Sequence, residues 1–520
     1  MKIIRLSMAA LMIGTLLTDV MADDGDVPKR SLKANRVLVY NVVPSEVDTL
    51  KDMLMEGEFY GRLRLNTFYW DWSEEPIAII NGTEEKLRKD NWSAGLGASL
   101  MYKSAYYHGI GFTLDGYTSQ NPWHMDAEDV VYIKAGKDVL SRYDVWNSDD
   151  WHMNVLAQLF LEYKFAKSNF RFGRQKFESF LTKSNDTKMI PNTFEGYTLT
   201  SDYVHKTAIK LAYLTKQKLR DHTRFHDLIT FKNSDGERWG NNDDAGVHRG
   251  LSYQNFENAG EETDHDLIVA EIWNQSIDNL KVMVNYTGVP DVLYDLTGEA
   301  HYTFKAGDFN IIPGIRYMYQ FDNGGGDIGG ASLTGVLANY SGGDDFGYDD
   351  PESLKSWLFA ARVDLKSDAP WKVRLGYSKI ADKADIVAPW RGFPTGGFTR
   401  AMGQYNWMAN TTTFMLRGDY DFGKAGIVSG LTAMFRLAYE DYDDGKRGRL
   451  QSGQTINLQP TDRTVLHLDA IQKIAALPGL EARVRMAFVM ADDDKVVTDS
   501  GTSTTDPSYN EYRFELNYLF

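Results

Sequence analysis

Arginines recur at alternate positions in segments whose other positions are apolar. In Trp371-Lys372-Val373-Arg374-Leu375-Gly376-Tyr377, the apolar side chains share one parity and Lys372 and Arg374 the other. Arg62 and Arg64 alternate with Leu63 and Leu65. Arg171 stands between Phe170 and Phe172, and Arg316 between Ile315 and Tyr317. Arg362, Arg417, Arg436, Arg483, Arg485 and Arg513 follow the same rule. A guanidinium is a rigid fork of N–H donors that matches a carboxylate through charge-assisted hydrogen bonds. Several forks along one path would make a positive field and a series of transient carboxylate sites. The other reading is wall charge paired with Asp364, Asp419 and Asp469, because buried charge is tolerated mainly in pairs. For any single arginine both readings stand. As a set, the arginines outnumber the inward acids of the C-terminal half, which points to function.

A period of two places these residues on strands. The end of the chain shows it most plainly. Tyr512, Phe514, Leu516, Tyr518 and Phe520 alternate with Glu511, Arg513, Glu515 and Asn517. Similar segments of about ten residues recur, joined in turn by a long polar loop and a short turn, as in outer-membrane barrels. The long connections include 120–150, 218–265, 321–356 and 381–409. The short ones include Lys167-Ser168 and Ser367-Asp368-Ala369-Pro370. The expected fold is all-β: a transmembrane antiparallel β-barrel of about 18 strands spanning 58–520. A charge on the lipid face would cost roughly 2–4 kcal/mol at the midplane, so the arginines must face the lumen.

Composition agrees. No stretch is apolar and long enough for a spanning helix, yet aromatics reach 13% while mean hydropathy is −0.40. A polar lumen inside aromatic girdles reconciles the two values. Trp70, Trp72, Trp151 and Trp357 fall at the expected long-loop rim. Trp371, Tyr420, Phe422 and Phe520 fall at the short-turn rim. Met1 to Ala22 reads as a signal peptide, with a basic start, the apolar stretch Leu6–Leu17 and a small-residue cleavage site. Residues 23–57 are expected to form a periplasmic N-terminal segment, with a short helix near Ser45–Met55.

The net charge of −16 is concentrated in loops. Ten acids face six bases in 218–265, seven face one in 321–356, and five face one in 492–508. No basic stripe suits nucleic acid. Enzyme signatures are missing: there is no Gly-x-Ser-x-Gly, His-Glu-x-x-His or Walker loop. Gly324 to Gly329 fits Gly-x-Gly-x-x-Gly but sits in an acidic loop, so it reads as flexible. The chain has 0 Cys. His222 and His226 are spaced as helical metal ligands but lie in a polar loop. No cofactor is expected. The clusters Asp344-Asp345, Asp349-Asp350 and Asp492-Asp493-Asp494 are candidates for loop Ca²⁺, with solvated charge or lipopolysaccharide bridging as the plainer reading.

Phe170-Arg171-Phe172-Gly173-Arg174-Gln175-Lys176-Phe177, followed by Ser184 to Gly196 with Pro191-Asn192-Thr193-Phe194-Glu195-Gly196, resembles the OprD-type porins, the outer-membrane carboxylate channels. Trp92 to Gly97 and Tyr117-Thr118-Ser119 also look like that family's early strands. The acidic outer loops look closer to the OprD-like major porins of Campylobacter-type bacteria than to pseudomonad channels. The resemblance implies an 18-stranded barrel whose third loop, here 178–193, folds inward as a constriction beside a basic ladder. It assigns Arg174 to the ladder and Ser184 and Asp186 to the constriction loop. Glu178 and Asp186 would then screen out simple anions and admit solutes that also carry an amine.

The expected function is passive diffusion of small polar solutes, favouring carboxylate-bearing compounds such as amino acids or organic acids. The alternatives are a general non-specific porin and a surface-adhesive barrel. Expected partners are those solutes, outer-membrane lipid, lipopolysaccharide and the barrel-assembly machinery. The expected state is a monomer or homotrimer in the Gram-negative outer membrane.

Overall fold

The computed structural model describes residues 30–40, 42–80, 83–133, 139–230, 248–336, 347–403, 405–449, 455–498 and 501–520. The expected signal peptide and Asp344-Asp345 lie outside them. Eighteen long strands form the wall: β1 (Glu58–Trp72), β2 (Asn91–Lys103), β3 (Ile110–His124), β4 (His152–Phe165), β5 (Ser168–Gln175), β6 (Thr193–Ser201), β7 (Thr207–Lys218), β8 (Leu267–Asn274), β9 (Leu280–Val289), β10 (Leu293–Tyr302), β11 (Phe309–Asp322), β12 (Ser356–Ser367), β13 (Trp371–Ile380), β14 (Thr412–Asp421), β15 (Leu431–Asp441), β16 (Arg463–Lys473), β17 (Leu480–Ala491) and β18 (Tyr509–Leu519). Each pairs antiparallel with its neighbour. β18 returns to β1, from Tyr509 opposite Trp72 to Leu519 opposite Arg62. Closure leaves no unpaired edge, which the hydrocarbon layer demands.

The alternation read from sequence is the alternation of exposure. Along β18 the odd positions from Tyr509 to Leu519 are buried and the even ones are not. Leu63, Leu100, Phe172, Val284, Leu375 and Phe414 stand exposed on the outer face, forming the apolar band that lipid would cover. No described helix is long and apolar enough to cross a membrane. The turn between β4 and β5 is Ala166-Lys167, both with positive φ (41° and 61°), as a two-residue hairpin turn requires.

Several expectations need correction. Trp70 and Trp72 do not join a girdle. They share parity with Arg62 and Arg64, so they point inward, and Trp70 stacks on Tyr509 at 4.1 Å. Trp357, Trp371 and Phe520 do lie on the outward parity. The helix near residue 50 is shorter than expected, Leu50–Met55, capped by Thr49, whose Oγ1 accepts from the Asp52 N–H at 3.1 Å. Glu46 and Val47 instead pair with Tyr106 and Tyr107. Gly325–Gly329 is a helical turn with Ile328 buried, so the loop read as flexible is packed there. Residues 30–40 of the expected periplasmic segment lie inside the barrel. Arg30–Leu32 and Leu38–Tyr40 form a hairpin against the lumen wall.

Candidate functional site

The loop joining β5 to β6 runs into the lumen. Its sequence explains why. Phe177, Phe180, Leu181, Met189 and Ile190 are too apolar for an exposed loop, and all five are buried. Met189 and Ile190 pack with Phe68, Tyr117, Met153 and Val155 of the wall and with Val139 of the loop between β3 and β4. Asp186 pins the loop: its two oxygens accept from Arg62 Nη1 and Arg64 Nη1, each at 2.7 Å. Burial pushes the Asp186 carboxyl up, but the two guanidinium groups outweigh it and hold it below the usual carboxylate range. Asn66 Nδ2 donates to the carbonyls of Thr187 and Lys188.

A second loop, 381–409 between β13 and β14, meets the first inside the barrel. It reads as a long outer loop in the sequence. Instead Ile386, Val387, Trp390, Phe398 and Trp407 are buried in one cluster with Phe177, Phe180 and Leu181. The main chains bond: Lys183 N–H to Trp390 O at 2.9 Å, and Gly392 N–H to Leu181 O at 2.7 Å. Asn185 Nδ2 donates to Arg391 O at 2.6 Å. A Cβ at Gly392 would lie 2.2 Å from Leu181 Cα, so only glycine permits this approach. The run Ile386-Val387-Ala388-Pro389-Trp390, unusually apolar for a solvated loop, is the signal that could have found it.

Strand register brings the ladder together. Arg374 lies opposite Arg417, and Arg417 opposite Arg436, so three arginines form a row across β13, β14 and β15. His467 continues the row, and Arg485 lies opposite Arg513 on β17 and β18. Each has a partner. Arg374 holds Asp364, Arg417 holds Asp419, Arg483 and Arg485 share Asp469, and Arg513 holds Glu511. The second loop supplies carbonyl acceptors: Gly397 O takes Arg362 Nη1 and Arg374 Nη1 at 2.6 Å, and Arg400 O takes Arg436 Nη1 at 3.0 Å. Arg316 donates to Glu299 and to the carbonyls of Pro394 and Gly396. Arg171 faces Glu162 at 3.4 Å.

A chamber of about 780 Å³ lies between the two loops and the wall of β13 to β18. Its lining carries eleven lysines or arginines against three aspartates, including Arg417, Arg436, Arg483, Arg485 and Arg513. The lining is thus predominantly cationic although the chain as a whole is acidic. A second space of about 810 Å³, lined by Lys206, Lys281, Arg362 and Lys366 with Asp202, Asp278, Glu299 and Asp364, sits beside β7 to β12.

Some expected site residues do not join the lumen path. Arg174 lies opposite Leu159 and Glu195 and shares the outward parity of Phe170 and Phe172. Its Nε meets Glu195 at 3.1 Å, and its guanidinium covers Phe225. The family pattern suggested the ladder for it, while period-two parity sends it outside. Asp186 is fully buried between two arginines, so it anchors the loop and cannot touch a solute. Ser184 is also fully buried, and its carbonyl accepts from Asn192 N–H. Glu178 engages Asn35 at 2.7 Å and Lys33 at 3.5 Å on the N-terminal hairpin. His222 and His226 meet edge to face at 4.9 Å. Among the described residues no three His, Asp or Glu side chains converge as a metal would need.

Residues 62–296 match the family model described as outer membrane porin, OprD family. No curated protein matches the chain. Among solved structures, Pseudomonas aeruginosa OccK8 (OprE) is similar at 14% identity and TM-score 0.62, covering 90% of this chain and 99% of that one. Acinetobacter baumannii OccAB3 is similar at 17% identity and TM-score 0.61, covering 90% and 100%. The Pseudomonas aeruginosa structure of OpdK with vanillate is similar at 12% identity and TM-score 0.58, covering 90% and 99%. The OprD-type resemblance read at 170–196 is therefore borne out. The closed 18-stranded barrel is the porin fold of the Gram-negative outer membrane.

Proposed function

We propose that this OprD-type barrel passes small polar solutes by diffusion and favours those bearing a carboxylate, such as amino acids or organic acids. The observation that carries the reading is the chamber, with its large excess of cationic side chains, among them Arg417 and Arg436, which lie opposite each other and continue the row from Arg374. A carboxylate entering it would meet a charge-assisted donor at each step along the wall. Each bond would replace part of the solute's hydration yet compete with an existing partner such as Asp419, so release stays easy. The similarly folded OpdK was solved with vanillate, an aromatic carboxylate. Outer-membrane lipid and lipopolysaccharide would contact the apolar outer band and its rims.

The general-porin reading draws on a different observation. Every arginine of the row already has a carboxylate or carbonyl partner, as a purely structural wall would. Single-channel recording in planar bilayers, with reversal potentials measured in a salt gradient, separates the two. Anion preference together with faster uptake of a small carboxylate than of a neutral sugar of equal size supports the carboxylate channel. Equal permeation leaves a general porin.

A further inference from the structure

The hairpin Arg30–Tyr40 enters the barrel from the short-turn rim. Arg30 Nη2 donates to the carbonyl of the terminal Phe520 at 3.3 Å, and its guanidinium sits 5.4 Å over the Tyr60 ring. Phe520 marks the periplasmic end, so the hairpin is a periplasmic insertion. Val37 and Leu38 are buried, and Tyr40 packs edge to face on Tyr60 at 5.0 Å. The tip is a tight turn closed by Lys33 N–H to Val37 O at 2.9 Å and Arg36 N–H to Lys33 O at 2.8 Å, with Arg36 at φ 65°. Ala34 and Asn35 at that tip line the basic chamber.

The hairpin's charges answer those around it. Arg36 is buried and joins two wall carboxylates, Glu481 and Glu515, the latter at 3.2 Å. Lys33 and Asn35 both reach Glu178 at the head of the constriction loop. Without the hairpin, Glu178 and Glu481 would lose these partners, and Glu515 would lose Arg36 while keeping Arg483 at 3.9 Å. A channel lined by arginine would then have an acidic periplasmic exit.

We propose that the N-terminal hairpin is a pore-lining specificity element: it narrows the periplasmic side of the chamber and, through Arg36 and Lys33, turns an acidic exit basic. This deepens the channel reading and rests on it. The hairpin is then as much part of the filter as the two inward loops, although it precedes the barrel in sequence.

The test compares the full chain with a variant lacking residues 30–40 and with Arg36→Gln, in planar bilayers under a potassium chloride gradient. Heat-modifiable gel migration first establishes that each barrel is closed. Both variants should conduct with a reversal potential shifted toward cations, and the deletion should also raise conductance. A closed, conducting variant with unchanged selectivity overturns the proposal. If the deletion does not fold, Asn35→Cys replaces it. The chain has 0 Cys, so this thiol is unique. A cationic methanethiosulfonate reagent added on the periplasmic side should change the current. No change from either side overturns the proposal. A wild-type protein that does not conduct overturns the channel reading itself, a result distinct from the others.

Discussion

Arg374 and Arg417 lie directly opposite each other across β13 and β14; Arg417 lines the chamber and Arg374 reaches Gly397 O of the inward loop. Like charges in facing positions are unfavourable in a sheet. Asp364 and Asp419, one beside each guanidinium, offset the repulsion without removing the excess charge, because Arg436 follows on the next strand. On the proposed carboxylate-channel reading, a passing anion would be the intermittent third partner of this row.

Replacing Arg417 and Arg436 together by Gln should therefore slow carboxylate uptake and spare a neutral sugar. Loss of one charge-assisted bond, about 1.5 kcal/mol, corresponds to about a tenfold weaker hold on the solute. Liposome-swelling rates for a small organic acid and a sugar of equal size measure the difference. Equal losses for both solutes would make the row structural. Arg483 and Arg485 are poorer targets, since removing both strands Asp469 in the wall.

The clamp on the constriction loop gives a second expectation. Asp186→Ala leaves Arg62 and Arg64 buried without their shared carboxylate. Breaking such a pair costs about 3–5 kcal/mol. The closed barrel should survive on its strand pairing while the loop detaches from β1. Conductance should rise and become noisier, and the temperature of the gel-shift transition should fall. Quiet channels of wild-type conductance would mean that Met189 and Ile190 hold the loop unaided.

Asp385 should make the junction of the outer loops sensitive to pH. It is fully buried, accepts from the N–H groups of Leu333 and Ala409, and meets Tyr348 Oη at 3.2 Å, so it ties loop 381–409 to the loop after β11. Burial raises its pKa to about 6 despite those bonds. A carboxyl whose pKa is raised by folding binds its proton more tightly folded than unfolded. Stability of this junction is then greatest below the ordinary carboxylate range. It declines as pH rises toward 6 and is constant above, a change on the order of 3 kcal/mol. Protease nicking of the outer loops should be slower at pH 5 than at pH 7.5, and Asp385→Asn should flatten the dependence. Nicking that slows with rising pH would contradict it.

Strand content was legible because every wall strand must alternate, and β13 is found at the residues expected, Trp371–Ile380. The same rule places Arg62, Arg64, Arg316 and Arg513 inward. Where another signal outranked it, the reading failed. Arg174 shares the parity of Phe170 and Phe172, and Trp70 that of Arg62, so both faces were written in the sequence. The pairing of Arg36 with Glu481 and Glu515 was not. Those residues are more than 400 positions apart, and nothing local marks the contact. Loop 381–409 was half legible, through an apolar run whose partners on the 178–193 loop only the fold reveals.

The end of the chain carries the last expectation. Phe520 N–H and C=O bond the carbonyl and N–H of Gly61 at 3.1 and 2.9 Å, extending the β18–β1 seam by one pair beyond Leu519. Its ring covers Gly61 so closely that a Cβ there would sit 2.0 Å from the ring edge. An aromatic laid over a strand glycine shields backbone that would otherwise meet lipid. Deleting Phe520 removes this pair, the ring and the acceptor of Arg30 at the seam where the barrel closes. Less heat-modifiable protein should reach the outer membrane, and Phe520→Tyr should restore it, since the ring and backbone return. Gly61→Val should show part of the defect, because it displaces the ring and leaves the strand pairing. Normal membrane levels of the deletion would show that the other eleven paired positions of β18 suffice for assembly.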